Sequence, residues 1–407
     1  MRTLLFSAVF ALACTPDGTT RGAPGGGDID TADTGDTEDP LPQAEGCRAT
    51  PRDPSAPRVL LANLPYQGDG SQWAVVDIAA DDAVSDRGDR VQAGRAAFGR
   101  GASTPDGSLL LAPQDDGTLA VFGVDEAGAI TVVEAGWSDG TYTSGVTIDP
   151  SGEVAWLTNE SRSDVGGGVT AVVLDCDTGR PRLATPDDGL AVDASGLLLA
   201  ADHPRAFLPV PWALDRAVLV GRPVDGAETT DAALVSLPDG AIVAEVDAFG
   251  PDAWLSAAAI SADGQTLVIG DASAWSGRDN AVAQVAVSPD HSLTLLGTVD
   301  VYDPADVALS PDGGAALVAS GFGDDLLFVA LGDAGPALDG RVSASGDRPQ
   351  LPGGLVAVDR GGDAALVLAS EVYGLRRIEA VSASGMQPSA VVALDGDATP
   401  GLVVLQR

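Results

Sequence analysis

The chain has 407 residues, 45% of them apolar and only 4% aromatic, so small aliphatic side chains must fill most of a large core. Acidic residues outnumber basic ones by 59 to 22, which gives a formal net charge of −37, and every basic residue is an arginine. A negative field of this size repels phosphate backbones. The composition therefore excludes DNA and RNA as partners.

The N-terminus is typical of an export signal. Met1 and Arg2 form a short positive region, and the apolar run Leu4–Leu12 is too short to span a bilayer. The run ends in Ala11-Leu12-Ala13-Cys14, which resembles a bacterial lipobox, where the cysteine is lipidated. We expect a signal peptide over residues 1–13 and a lipid anchor on Cys14. Cleavage near Ala13 without lipidation is the alternative.

Residues 14–56 are rich in Gly, Asp, Thr and Pro and poor in large apolar side chains over most of their length. Such a segment cannot bury a core, so it predicts a disordered acidic linker. A linker placed directly after a lipidated cysteine predicts an exported lipoprotein. We expect it at the bacterial cell envelope, in the outer membrane or at the cell surface, with the anchor as its membrane contact.

A short turn phrase returns six times, each copy between two apolar runs. The copies are TPDG ending at Gly107, DPSG at Gly152, DASG at Gly196, SADG at Gly264, SPDG at Gly313 and DRGG at Gly362. A tight turn between strands that recurs every ~40–50 residues is typical of a β-propeller, an all-β ring of four-stranded blades. Each phrase is predicted to join the first two strands, A and B, of a blade.

The chain ends predict a seventh blade. Arg58–Leu64 and Trp73–Ile78 look like B and C strands with no A strand before them. Gly401–Gln406 looks like an A strand with no B strand after it. Pairing of the two ends would complete a split blade and remove an exposed sheet edge. We therefore expect a seven-bladed propeller closed by its N- and C-terminal strands.

The repeated hairpins, with Val154-Ala155-Trp156-Leu157-Thr158-Asn159 in the B position, resemble the YVTN/lactonase-like seven-bladed propeller superfamily. The resemblance covers about residues 57–407. It implies the fold and leaves the activity open, because members include lactonases, surface-layer proteins and binding scaffolds. No catalytic motif of the family is present to be transferred.

The interval between Gly196 and Gly264 is longer than the others. Residues 203–231 are predicted as an insertion, either a tolerated surface excursion or a functional lid. Four prolines, Phe207 and Trp212 favour an ordered segment, and ordered excursions of this length are often functional.

Polar and aromatic side chains are expected at the B–C connections, which share one face of the ring, here called the top face. The ligand-binding candidates are Asn159, Glu160, Asp202, His203, Arg205, Trp275, Asp324, Glu371 and Tyr373. Asp202 could orient His203, and Arg205 could hold an anion. Oxygen ligands suit a hard cation such as Ca²⁺ or Mg²⁺, with candidate ligands Asn159, Glu160, Asp202, Asp324 and Glu371.

After Cys14, the remaining cysteines are Cys47 and Cys176. A pair of cysteines in an exported protein indicates a disulfide, which would strap the linker under the bottom face of the ring. The loop-lined top face would then point away from the membrane.

Two functions fit these features. The first is a monomeric binding or scaffold module of the cell envelope with a protein or glycan ligand. The second is a lactonase-type hydrolase that uses a bound divalent cation at the top face. Convergence of three or more of the candidate carboxylates within ~5 Å would favour the second.

Overall fold

The protein is built almost entirely from antiparallel β-sheet. The computed structural model describes residues 44–97, 99–138, 142–161, 167–272, 280–321, 325–343 and 354–407. In these ranges there are 28 strands and a single one-turn 3₁₀ helix, Pro186–Asp188. The predicted signal peptide, Cys14 and the linker up to residue 43 lie outside the described residues.

Five four-stranded sheets and one eight-stranded sheet contain all of these strands. In chain order the strands are β1 Arg58–Asn63, β2 Gln72–Ile78, β3 Val84–Gln92, β4 Ala102–Ser103, β5 Leu109–Pro113, β6 Leu119–Val124, β7 Ile130–Trp137, β8 Tyr142–Ile148, β9 Val154–Ser161, β10 Gly168–Leu174, β11 Pro181–Leu183, β12 Leu197–Val210, β13 Ala213–Pro223, β14 Ala232–Ser236, β15 Ile242–Val246, β16 Leu255–Ile260, β17 Thr266–Asp271, β18 Ala281–Val287, β19 Leu293–Asp300, β20 Pro304–Leu309, β21 Ala315–Ser320, β22 Asp325–Ala330, β23 Ala337–Ser343, β24 Leu355–Val358, β25 Ala365–Glu371, β26 Gly374–Ser382, β27 Gly385–Ala393 and β28 Val403–Leu405.

The chain ends close one of the four-stranded sheets, whose order is β28-β1-β2-β3. Strand β28 pairs antiparallel with β1 in the register Leu60↔Leu405, Leu61↔Val404 and Ala62↔Val403. The predicted pairing of the two ends is therefore present, and it gives β1 a partner on both sides.

The eight-stranded sheet consists of two four-stranded groups that share the long strand β12, and the short strand β11 also pairs with β10. The first part of β12 pairs with β10, in the register Gly168↔Ala200 and Val169↔Leu199. Its second part pairs with β13, from Ala201↔Pro223 to Val210↔Ala213. β12 is thus the outer strand of one group and the inner strand of the next.

The predicted insertion at 203–231 is wrong, because these residues mostly form the second half of β12 and the whole of β13. Phe207 is fully buried in this sheet, so it does not belong to a surface lid. The turn that joins β12 to β13 is Pro211-Trp212, which lacks the repeated phrase. The phrase ending at Gly196 lies instead between β11 and β12, in the outer part of the preceding group.

The inner strands of successive groups contact one another in a closed ring. The ring runs β28, β4, β8, β12, β16, β20, β24 and back to β28. These seven inner strands of the described chain surround a central channel, which is the arrangement of a β-propeller. The interpretation as seven blades rests on this ring and on dividing the eight-stranded sheet at β12.

The repeated phrase has a shared hydrogen-bond pattern that explains its composition. The amide of Gly264 donates to the carbonyl of Ser261 at 2.9 Å, and Gly264 has a φ of 71°, a backbone conformation that glycine adopts without strain. The hydroxyl of Ser261 accepts the amide of Thr266 at 2.9 Å. Thr104, Asp149 and Ser310 accept the equivalent amide in three other copies. The aspartate of the phrase also bonds the local backbone, as Asp263 does with Gln265 at 3.0 Å.

The core lies between neighbouring blades, so the three inner strands of a blade are buried on both faces and read as continuous apolar runs. All six residues of β1, RVLLAN, are buried. Large aromatic side chains fill two of the interfaces. Trp73 packs on Phe122 with ring centroids 5.3 Å apart, and Trp156 packs on Phe207 at the same distance. The outer strands, such as β7, contain only half-buried and exposed residues.

A segment that we call the strap, residues 44–57, runs under the bottom face, the face of the A–B and C–D turns. Cys47 is bonded to Cys176 in the β10–β11 turn, with a Cα–Cα distance of 6.0 Å. The buried Arg48 side chain donates to the carbonyl oxygens of Asp175 and Cys176 at 2.8 and 2.9 Å. Further along, Arg360 donates to the carbonyl of Ala56 at 2.7 Å. The part of the predicted disordered linker from residue 44 onward is therefore ordered against the ring.

No helix in the described ranges is long and apolar enough to cross a membrane.

Candidate functional site

The channel carries an ion pair that spans the ring near its top face. Arg100 lies two residues before Ala102, the first residue of β4, and Asp306 lies in β20 on another side of the ring. Nη2 of Arg100 donates to Oδ1 of Asp306 at 2.6 Å and Nε donates at 2.8 Å. Three inner strands separate β4 from β20 on one side of the ring and two on the other, so this bond bridges the channel.

The backbone holds both partners in place. The carbonyl of Arg100 accepts the amide of Val146 at 3.0 Å, and a Cβ on the neighbouring Gly99 would stand only 1.4 Å from the carbonyl oxygen of Ser144. Glycine at position 99 therefore permits the close approach to β8 that aims Arg100 inward. Asp306, whose side chain is 2% exposed, accepts the amide of Leu355 at 2.9 Å.

A second pair lies beside the first. Arg205, in β12, donates from Nε to the carbonyl of Ser256 at 2.6 Å and from Nη1 to Oε1 of Glu160 at 3.4 Å. The Arg205 side chain is 14% exposed and that of Glu160 is 42% exposed, so the carboxylate is the open member of the pair. We call Arg100, Glu160, Arg205 and Asp306 the channel cluster.

The four groups act on one another electrostatically. Burial lowers the pKa of Arg205, the charges of Glu160 and Asp306 oppose that shift, and the charge of Arg100 adds to it. At the start of β8, burial and then the charge of Glu160 raise the pKa of Tyr142 above its ordinary value. Tyr142 therefore remains a phenol at neutral pH and offers a hydrogen-bond donor beside the cluster.

Among the predicted site residues, Glu160 and Arg205 are brought together, whereas two others serve the sheets. Asn159 is fully buried and its amide bonds Thr143 at 3.2 Å and Thr170 at 2.8 Å, so it holds three strands together rather than facing a ligand. Glu371 has 1% of its side chain exposed and accepts Nε of Arg376 at 3.0 Å. Because the Glu371 side chain is buried and paired, its position does not support the prediction that it contacts a ligand.

The remaining predicted residues lie at the rim of the channel or outside the described part. Asp202 and His203 are more than half exposed, with Oδ1 and Nε2 3.6 Å apart. The His203 ring packs near Trp254 with centroids 5.5 Å apart. Tyr373, between β25 and β26, is 52% exposed. Trp275 and Asp324 lie outside the described residues.

The candidate cation ligands do not converge in the described ranges. Glu160 pairs with Arg205, Glu371 pairs with Arg376, and Asn159 is enclosed by strands. The group of three potential ligands that the described residues do bring together, Cys47, Glu153 and Cys176, lies on the bottom face, and its two sulfurs are engaged in the disulfide. The described members of the candidate set therefore provide no support for a Ca²⁺ or Mg²⁺ site, and Asp324 lies outside the described residues.

Sequence reasoning missed Arg100 and Asp306. A signal was present for Asp306, because a single acidic residue within the apolar strand PADVAL needs a buried partner. Nothing in the sequence pattern points to Arg100 as that partner, since 206 residues separate the two.

The fold and the channel together define a β-propeller with charged side chains across its central opening. No protein-family model matches the sequence, and no curated protein matches it. Three solved structures with the same fold are similar to it. They are a periplasmic gluconolactonase from Pseudomonas aeruginosa (14% identity, 86% of this chain and 99% of that chain, TM-score 0.60), a hypothetical selenium-binding protein from Sulfolobus tokodaii (11%, 88% and 97%, 0.58) and a functionally unknown protein from Desulfotomaculum acetoxidans (13%, 86% and 98%, 0.54). At these identities the likeness establishes the propeller fold.

Proposed function

We propose that the protein hydrolyses a lactone at the top mouth of the channel. The observation that carries the proposal is the partly exposed carboxylate of Glu160 beside the largely buried guanidinium of Arg205, at 3.4 Å. The likeness to a propeller named a gluconolactonase along 86% of this chain supports the same substrate class. We also retain the proposal that the protein is exported and lipid-anchored, and that the mouth faces the medium.

The channel cluster offers the groups that ring opening requires. A water molecule attacks the lactone carbonyl carbon while Glu160 accepts its proton. The charge that develops on the carbonyl oxygen is stabilised by the guanidinium of Arg205. The bond between the carbonyl carbon and the ring oxygen then breaks, and Glu160 returns the proton to the ring oxygen. Water and lactone become one open-chain hydroxy acid, so the reaction balances with no further reactant.

The net charge of −37 is compatible with a neutral substrate and an anionic product. A lactone is neutral and is not repelled by the acidic surface. The product ionises to a carboxylate, which the surrounding negative field repels. Substrate entry is therefore permitted and product release is favoured by the same charge.

The test is the rate of hydrolysis of glucono-1,5-lactone by the purified protein in a pH-stat, after subtraction of the spontaneous rate. We expect Glu160→Gln to lower kcat by about 100-fold or more, the usual contribution of a general base. Glu126→Gln, an exposed position in the β6–β7 turn, is the matched control and should keep the wild-type rate. A wild-type protein that accelerates neither five- nor six-membered aldonolactones would contradict the proposal.

A binding module without chemistry is the second candidate, and the exposed aromatic side chains around the same mouth favour it. Tyr302 and Trp254 have exposed fractions of 60% and 58% in a chain with few aromatic residues. A protein that binds a glycan or protein ligand but hydrolyses no aldonolactone would be such a binding module.

A further inference from the structure

All four tyrosines of the chain lie on the top face. Tyr66 lies between β1 and β2, Tyr142 begins β8, Tyr302 lies between β19 and β20, and Tyr373 lies between β25 and β26. Trp254, between β15 and β16, lies on the same face. We call these five residues the aromatic rim.

The aromatic rim contains every aromatic side chain among the exposed large apolar residues of the described ranges. Exposed fractions are 52% for Tyr66, 37% for Tyr142, 58% for Trp254, 60% for Tyr302 and 52% for Tyr373. The other large rings, such as Trp73 and Phe122, fill the interfaces between blades. Chance placement would distribute exposed rings over both faces, so their restriction to the mouth indicates a binding surface.

The arrangement identifies the chemistry of the occupant. The rim residues are distributed among different blades around a charged mouth, whereas the hot spot of a protein interface is a central cluster. A neutral sugar has apolar C–H faces that stack on aromatic rings and hydroxyl groups at its edge that bond carboxylates. Asp115 and Asp202, with side chains 43% and 56% exposed, provide carboxylates on the top face. The net charge of −37 disfavours an anionic polysaccharide.

We infer that the substrate is an oligosaccharide that ends in an aldonolactone, with its neutral sugar units on the aromatic rim and its lactone at the channel cluster. This inference rests on the proposed lactone hydrolysis. The inference also implies that a monosaccharide lactone occupies only the channel cluster and leaves the aromatic rim empty.

The first experiment compares kcat/KM for cellobiono-1,5-lactone and glucono-1,5-lactone. We expect the disaccharide lactone to be preferred by about ten-fold, the effect of one favourable stacking contact. Trp254→Ala and Tyr302→Ala should each reduce kcat/KM for the disaccharide lactone about five-fold more than for the monosaccharide lactone. Leu338→Ala, 49% exposed on outer strand β23, is the control and should leave the ratio of the two substrates unchanged. An equal preference for both lactones would overturn the inference while leaving the proposed function intact.

The second experiment separates the two proposals. Cellotetraose and maltotetraose, which contain no lactone, are titrated into the protein while tryptophan fluorescence and calorimetric heats are recorded. Binding that is weakened by Trp254→Ala supports the saccharide site even if no lactone is hydrolysed, in which case only the proposed hydrolysis fails. Failure of the wild type to bind either tetrasaccharide, together with no substrate preference, overturns the aromatic rim as a saccharide site.

Discussion

Asp306 lies in a strand whose other five residues carry no charge, yet 2% of its side chain is exposed and its oxygens accept bonds from Arg100, Val307 and Leu355. A buried carboxylate is tolerated only when such partners replace the water it has lost. Because its partners come from different parts of the ring, Asp306 joins β20 to the next inner strand and to the opposite wall of the channel.

Asp306→Asn should lower the free energy of unfolding by about 2–4 kcal/mol, because one amide hydrogen-bond donor then faces another donor and Arg100 loses its counter-charge. The partial exposure of Arg100, 32%, places the expected value toward the lower end of that range. Urea denaturation with an unchanged m value is the measurement. Asp215→Asn, which removes the exposed carboxylate that pairs with Arg216, is the control and should change stability by less than about 1 kcal/mol. An Asp306→Asn protein as stable as the wild type would show that the bridge adds nothing to stability.

Individual site residues were predictable only in part. Glu160 lies at the second-to-last position of β9, a B strand that reaches the top face, whereas Arg205 is predicted in a B–C connection and lies within β12. Asn159 was misassigned because, one position earlier in β9, its side chain lies within the sheet and bonds Thr143 and Thr170. The alternation of a strand thus separates a buried amide from an open carboxylate at adjacent positions.

At the scale of strands and turns, the repeated phrase predicts a turn and does not predict which two strands the turn joins. Gly107, Gly152, Gly264 and Gly313 follow an innermost strand, but Gly196, with a φ of 72°, closes the same kind of turn beside an outer strand. The hydrogen bonds of the turn are local, so the same four residues suit any tight antiparallel connection. The Pro211-Trp212 turn lacks the phrase, so the sequence predicts an insertion where the structure has two ordinary strands.

The disulfide is an element that can be removed without altering the core. Replacing both Cys47 and Cys176 with serine should lower the free energy of unfolding by about 2–5 kcal/mol, because the bond closes a segment of 129 residues. Thermal unfolding with and without reductant measures the effect. Reductant should destabilise the wild type to the level of the double variant and leave the double variant unchanged. Two free thiols in the purified wild-type protein would contradict the bond.

For the whole molecule, the proposed lipid anchor on Cys14 predicts that the protein is found with the membrane. Cys14→Ser should move the protein from the membrane fraction to the soluble fraction while the thermal midpoint of the purified ring stays the same. Thr15→Ser, which keeps the cysteine, is the control and should remain with the membrane. Wild-type protein found wholly in the soluble fraction would refute the anchor and leave the propeller unaffected.

The pairing of β1 with β28 also fixes the order in which the molecule can be completed. About 340 residues of chain separate the paired segments, so β1 emerges from the ribosome long before its partner exists. At synthesis rates of about 5–20 residues per second, the interval is roughly 17–70 s. Throughout that time one edge of β1 has no strand to bond, and the ring stays open. Closure of the ring therefore cannot precede synthesis of the last strand, and no closed propeller exists while the N-terminal half of the chain is being made.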